Sequence, residues 1–209
     1  TTYYFAIKTA DEVPNESPVS NSPSGTTITA PYCFTIDFVT GYNMITMPLD
    51  DPSVIKASHL ANKIGTSCTE VIRWDSATQT YVSYIPTVPL NNFDIVGGEG
   101  YFVNVNNPTP GIQFCGDGWT SPFDMSLVTG YNMMGMPVND TSVTDALTLA
   151  AKIGANCTEV IRWDGTTQTY VSYIPGVPLN NFDIVGGEGY FVNIVNPTGV
   201  TFEGAPWQD

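Results

Sequence analysis

Basic side chains are scarce in this chain. Six Lys and Arg stand against twenty Asp and Glu among 209 residues, for a formal net charge of −14. Phosphate backbones are held by Lys and Arg, so this balance argues against nucleic acid as a partner, and equally against an anionic membrane surface. Charged residues of both signs reach only 12%, about half the ~25% usual in globular domains. Thr, Ser, Asn and Gly take their place. No apolar run attains the ~18–20 residues that cross a bilayer, so membrane insertion is not expected. The opening stretch "TTYYFAIKTA" lacks the basic and apolar regions of a signal peptide, as in a mature product after processing. There is one histidine, His59, and no C-x-x-C pair, so neither a zinc site nor another metal or cofactor is expected.

What the chain has is a long repeat. "QTYVSYIP" occurs at 79–86 and again at 168–175, and "VPLNNFDIVGGEGYFVN" at 88–104 and 177–193. With Val39 aligned to Val128, 53 of 70 positions are identical through Pro108 and Pro197. The similarity extends back to "FTIDFV" and "FDMSLV" and forward, across a one-residue deletion, to Trp119 and Trp207. Two modules follow, at 34–120 and 122–208, each large enough for one small core. Residues 1–33 have no counterpart.

Each module reads as mainly β. "FTIDF" alternates Phe34, Ile36 and Phe38 on one face, and "YNMITMPL", "TEVIRWD", "TYVSYIP" and "GGEGYFVNV" continue the strand pattern. The one helical signal lies between Asp51 and Gly65. Asp51 is a good N-cap, Pro52 fits the first helical position, and Val54, Ala57, Leu60 and Ile64 recur at helical spacing. This predicts helices over 52–64 and, from Asp140, over 141–153. The expected fold is two homologous sandwich- or barrel-like modules, each with one short α-helix, plus an N-terminal extension strand. The run from "GYNM..MPL" through "EVIRWD..TQTYVSYIP" to "GGEGYFVN" resembles a tandem β-rich repeat module of secreted and cell-surface proteins of bacteria and archaea. The resemblance spans both modules and implies a non-catalytic, extracellular chain. It brings no catalytic residues with it.

Residues with possible chemistry have plainer explanations. His59 has Thr148 as its counterpart and sits on the predicted exposed side of its helix, without a Ser or Cys partner. Asp94, Glu99, Asp183 and Glu188 recur as carboxylates of the kind that hydrolyse glycosides, but acids beside glycines commonly accept turn N–H groups. "GGEG" lacks the strand-to-helix context of a phosphate loop. Asp50, Asp51 and Asp140 have no EF-hand spacing. Arg73–Trp74 and Arg162–Trp163 are more suggestive. An arginine beside a tryptophan on a strand can make a stacking platform for a sugar, widened by Tyr81 and Tyr84. The same alternation also suits core residues.

Four cysteines, Cys33, Cys68, Cys115 and Cys157, allow three pairings. The pairing that treats both modules alike is Cys33–Cys68 with Cys115–Cys157. It would tie each module to the segment leading into it and implies an oxidising compartment. Asn15, Asn139 and Asn156 begin N-x-[ST] triplets and are candidate glycosylation sites.

The unrepeated segment carries the functional expectation. Tyr3, Phe5 and Ile7 alternate as on a strand, with no neighbouring segment to pair with. "DEVPNESPVSNSPSGTT" follows, rich in Pro and Ser, and reads as an extended linker. Its 17 residues span roughly 50 Å at ~3.1 Å each, against a module ~30 Å across. The strand can therefore reach a neighbouring subunit. The resulting expectation is a subunit of an extracellular filament, a homopolymer assembled head-to-tail through an N-terminal donor strand, which resembles the joining of surface pili. The alternative is a secreted or cell-surface lectin-like tandem module.

Overall fold

The structure, a computed structural model, describes residues 2–4, 24–26, 31–88 and 90–209. Residues Thr1–Pro31 and Tyr32–Asp209 are two separate compact units. In the first, β1 (Thr2–Tyr4) pairs antiparallel with β2 (Ser24–Thr26), Tyr3 opposite Gly25. Phe5, Ile7 and Asn15 lie outside the described residues.

The second unit is mainly β and repeats one plan twice. Its first half contains β3 (Tyr32–Phe38), β4 (Gly41–Thr46), α1 (Ala57–Ile64), β5 (Cys68–Asp75), β6 (Thr80–Tyr84), β7 (Gly100–Val105) and β8 (Thr109–Gly116). The second half follows in the same order with β9 (Phe123–Leu127), β10 (Gly130–Gly135), α2 (Ala146–Ile153), β11 (Cys157–Asp164), β12 (Thr169–Tyr173), β13 (Gly189–Ile194) and β14 (Thr198–Phe202). Each half has a four-stranded antiparallel sheet, ordered β4-β7-β5-β6 or β10-β13-β11-β12, and a two-stranded ladder, β3-β8 or β14-β9.

Alternation of side chains explains the packing. On β4, β5 and β7, Ile45, Val71, Tyr101 and Val103 face one way, toward α1 (Leu60, Ile64) and the β3–β8 ladder (Phe38, Phe114), and form the core of the first half. Met44, Ile72 and Phe102 face the other way and meet Met133 and Phe191 of the second half. The central strands of each four-stranded sheet are thus covered on both faces, which accounts for the runs of four consecutive buried residues in β4 and β7 where a half-buried strand would alternate.

Two expectations are corrected. Both helices start later than the caps at Asp51 and Asp140 suggested. Val54 N–H donates to Asp51 C=O and Val143 N–H to Asp140 C=O, closing turns instead of helix. α2 is capped by Asp145, whose carboxylate accepts from Thr148 N–H at 2.8 Å while Thr148 Oγ1 accepts from Asp145 N–H, a reciprocal capping box. α1 has Lys56 there and no side-chain cap. The disulfide pairing also differs. Cys33 is joined to Cys115, and Cys68 and Cys157 are buried thiols. Cys33 and Cys115 stand directly opposite each other on β3 and β8, with Cα atoms 4.2 Å apart, within bridging reach. Cys68 and Cys157 begin β5 and β11 with their side chains in the two cores, and burial pushes each thiol up to about 11.

Asp51 and Asp140 have a different task. Asp51 accepts from Ser53 N–H and Oγ, from Lys63 Nζ at 2.7 Å in the last turn of α1, and from Cys115 N–H on β8. Asp140 repeats this with Ser142, Lys152 at 2.8 Å and Glu203 N–H. Each buried carboxylate ties a loop, a helix end and a strand together. Burial alone would raise their pKa values, but the lysine and the converging donors hold both below the usual carboxylate range.

Candidate functional site

The two halves meet through the outer faces of their four-stranded sheets, and every polar contact there has a twin. Trp74 Nε1 donates to Tyr131 C=O at 2.7 Å, and Trp163 Nε1 to Tyr42 C=O at 2.7 Å. Gln79 accepts from Tyr131 N–H and donates to Tyr131 C=O, as Gln168 does with Tyr42. Thr46 N–H reaches Gly187 C=O, and Gly135 N–H reaches Gly98 C=O. Residue i of one half contacts j of the other while j contacts i, the signature of a two-fold, isologous interface. This explains the internal identity, since "RWD", "TQTY" and "GYNM" must satisfy both their own half and its partner.

On the pseudo-two-fold itself, equivalent residues face one another. Tyr81 and Tyr170 hydroxyls are 3.2 Å apart. Thr46 and Gly135 also meet there. A Cβ built on Gly135 would lie 2.1 Å from Thr46 Cβ, so only one side chain fits. At Gly41 and Gly130, φ is 95° and 93°, and a Cβ would strike the Gln168 or Gln79 amide that binds the next residue.

Beside the axis an aromatic cleft of about 310 Å³ opens between Trp74, Tyr81, Tyr131, Tyr170 and Phe191. Tyr81 and Tyr170, 50% and 49% exposed, are its most accessible rings, with Tyr131 also exposed. Trp74 sits edge-on to both Tyr81 and Phe191, with centroids 4.8 and 5.5 Å away. A larger groove, about 510 Å³, runs between β3 and the second half. Phe34, Thr35, Ile36 and Asp37 form one wall, and Arg162–Thr166 and Val185–Glu188 the other.

The residues singled out in the sequence separate accordingly. Arg73 and Trp74 are neighbours on a strand and point to opposite faces. Trp74 goes to the seam, while the Arg73 guanidinium lies 5.5 Å from the Phe93 ring centroid. Arg162 and Trp163 divide in the same way, with Arg162 over Phe182. No joint Arg–Trp platform forms in either half, and Tyr84 is in the core. Nε of Arg73 and Arg162 is buried and has no hydrogen-bond partner among the described residues. Glu99 and Glu188 accept from the Tyr101 and Tyr190 hydroxyls at 3.1 Å, and burial raises both carboxyls above their usual range. Glu188 shares the large groove with Asp37, Arg162 and Asp164. Asp94 is exposed and paired with Lys56 at 2.5 Å, and Asp183 bridges to Asp145 through backbone. His59 is half-buried on α1. Asn139 is exposed, and Asn156 is half-buried and accepts from Asn196. Asp50 pairs through its backbone with Asp117. Among the described residues no group of three or more His, Cys, Asp or Glu is placed to hold a metal ion. Nor is any helix there long and apolar enough to cross a membrane.

The sequence reading missed Gln79, Gln168 and Thr46–Gly135. A signal for the glutamines was present, because "TQTY" is identical in both copies while the turn residues Ser76 and Ala77 become Gly165 and Thr166. No family model matches this chain, and the curated proteins and the solved structures contain no match to it.

Proposed function

We propose that the chain is a non-catalytic structural subunit of an extracellular filament, joined head-to-tail to further copies through its N-terminal strand. The observation that carries this reading is the segment at residues 1–31. It is a compact unit of its own, and in its sequence Tyr3, Phe5 and Ile7 alternate without a counterpart in either half. The three-residue β1–β2 ladder is too short to be stable on its own, so a longer pairing with another sheet edge can replace it. Strand addition supplies main-chain hydrogen bonds, and burial of Phe5 and Ile7 adds roughly 1.5–3 kcal/mol each. A head-to-tail contact that does not close propagates as a fibre. Residues 32–209 suit this use, with a cross-strand disulfide in keeping with an oxidising compartment and a seam of paired hydrogen bonds. Exposed Asn139 is a candidate carrier of covalent glycan, with Asn15 and Asn156.

The test is the full chain carrying Phe5→Asp and Ile7→Asp, examined by electron microscopy and light scattering. Loss of polymer with an unchanged thermal transition is expected. Filaments indistinguishable from wild type would overturn the reading.

One observation favours a second reading, a carbohydrate-binding module: the aromatic cleft with Tyr81 and Tyr170 half-exposed. Rings of this kind stack on sugar faces. Specific binding on a glycan array, lost in Tyr81→Ala, would support it. Trp74→Ala is a poor probe, because that indole is bonded into the seam.

A further inference from the structure

We propose that the groove along the free edge of β3 is the acceptor for residues 3–8 of a second copy, an inference that rests on the donor-strand reading above. Among the described residues, β8 is the only strand hydrogen-bonded to β3. Four consecutive β3 residues, Phe34 to Asp37, line the groove. Successive side chains alternate between the faces of a sheet, so a cavity touching all four lies along the strand's edge. The backbone there is available for pairing. Asp209 N–H donates to Cys33 C=O at 3.2 Å, which shows that Cys33 directs its carbonyl away from β8. Antiparallel strands alternate the direction of their backbone groups, so Thr35 presents its N–H and C=O to the same side. Asp209 occupies the start of this edge, and an added strand continues that pairing along it.

Chemistry selects the occupant. Three acidic residues, Asp37, Asp164 and Glu188, line the groove against one basic residue, Arg162. Lys8 is the only Lys or Arg before Lys56. By alternation along an extended strand it would fall on the face opposite Tyr3, Phe5 and Ile7. A strand laid with its apolar face inward meets Ile36, Val39 and Val185 and leaves Lys8 at the acidic rim. β3 has seven residues, enough to pair the six from Tyr3 to Lys8. The proposed occupant is a strand from another copy, as the head-to-tail reading above requires, and docking of the chain's own strand is an outcome of the test.

Two measurements on the full chain test this. Proline is tolerated on an edge strand whose N–H faces outward, so Thr35→Pro removes the acceptor's outward donor and spares the β3–β8 ladder. Thr35→Val keeps that N–H and removes only the hydroxyl that donates to Asp209. Thr35→Pro is expected to shorten polymer at least tenfold with its thermal transition retained, and Thr35→Val to leave it unchanged. Separately, chains carrying Ile7→Cys are mixed with chains carrying Thr166→Cys and oxidised. A covalent dimer from the mixture, and none from either alone, is expected, and this result decides the matter if Thr35→Pro does not fold. Normal polymer from Thr35→Pro while the Phe5→Asp, Ile7→Asp chain fails to polymerise would remove this groove and leave the donor-strand reading standing. Polymer from all of them would remove both. No mixed dimer, or a cross-link formed only inside a doubly substituted chain, would overturn the second copy as occupant.

Discussion

Thr46 and Gly135 hold equivalent positions in the two halves and meet at the pseudo-two-fold, where there is room for one side chain. Gly135→Ala would place a Cβ 2.1, 2.3 and 2.5 Å from Cβ, Cγ2 and Oγ1 of Thr46. Thr46 is fully buried, and its hydroxyl donates to Glu99 C=O at 2.8 Å, so it has little freedom to move. Overpacking of this kind costs about 2–3 kcal/mol. Thr46→Gly fails for another reason. It loses a buried hydrogen bond worth about 1 kcal/mol and a buried methyl group, and it puts glycine in a strand, for another ~0.5–1 kcal/mol. For a unit of this size each kcal/mol lowers Tm by roughly 2–4 °C, so either single variant should lose about 4–12 °C. The exchange Thr46→Gly with Gly135→Thr moves the same side chain across the axis, where its hydroxyl finds the equivalent carbonyl of Glu188. It should regain wild-type stability to within about 1 kcal/mol, giving a coupling of about 3 kcal/mol or more between the two sites. Urea and thermal unfolding of wild type, Thr46→Gly, Gly135→Thr (which overpacks at least as much as Gly135→Ala) and the double exchange measure this. Additive losses in the double variant would refute the pseudo-two-fold account of the seam.

Peptide mapping without reductant should recover Cys33 joined to Cys115, with Cys68 and Cys157 alkylated only after unfolding. The sequence separation of 82 residues gives about 4.5 kcal/mol on the chain-entropy model, which Cys33→Ala with Cys115→Ala should remove, as read by urea unfolding. Asp140 titrates below its ordinary value in the folded chain, because Lys152, Ser142 and Glu203 N–H outweigh the cost of its burial. A depressed folded pKa contributes stability above the unfolded value near 3.9, and that stability is lost as pH falls through the folded one. Wild type should therefore exceed Asp140→Asn at pH 7, with the gap narrowing below about pH 4. A gap constant from pH 7 to pH 2 would contradict this.

The duplication, the strands and the two short helices were legible because each leaves a local pattern. Ala57, Leu60 and Ile64 marked the helical face even though the cap was misplaced and Val54 lies in the turn before the helix. Asp51–Pro52 is the stronger cap by composition, but its carboxylate is drawn to Lys63 and Cys115, contacts that only the tertiary fold creates. The disulfide was misread because Cys115 belongs to the strand that returns beside β3, and sequence nearness assigned it to the following module. Trp74 and Trp163 offered two readings, core or surface. They take a third, at a seam between two copies, which no pattern within one copy can reveal. Glu188 and Asp37 lie 151 residues apart in sequence and share a groove only because the halves are packed together.

Asp209 lies one hydrogen bond from Cys33, and Thr35 Oγ1 donates to the Asp209 carboxylate at 2.5 Å. In the repeat, Trp207 and Phe34 are the equivalents of Trp119 and Phe123, which the backbone joins directly. Both pairs pack edge to face with centroids 6.3 Å apart. One junction between the halves is covalent and the other is its non-covalent copy. The order of the halves along the polypeptide is therefore interchangeable. A circular permutant of residues 32–209, opened between Thr120 and Ser121 and closed by a short bridge from Asp209 to Tyr32, retains every contact of the seam. Its new ends would emerge on the opposite side of the pseudo-axis.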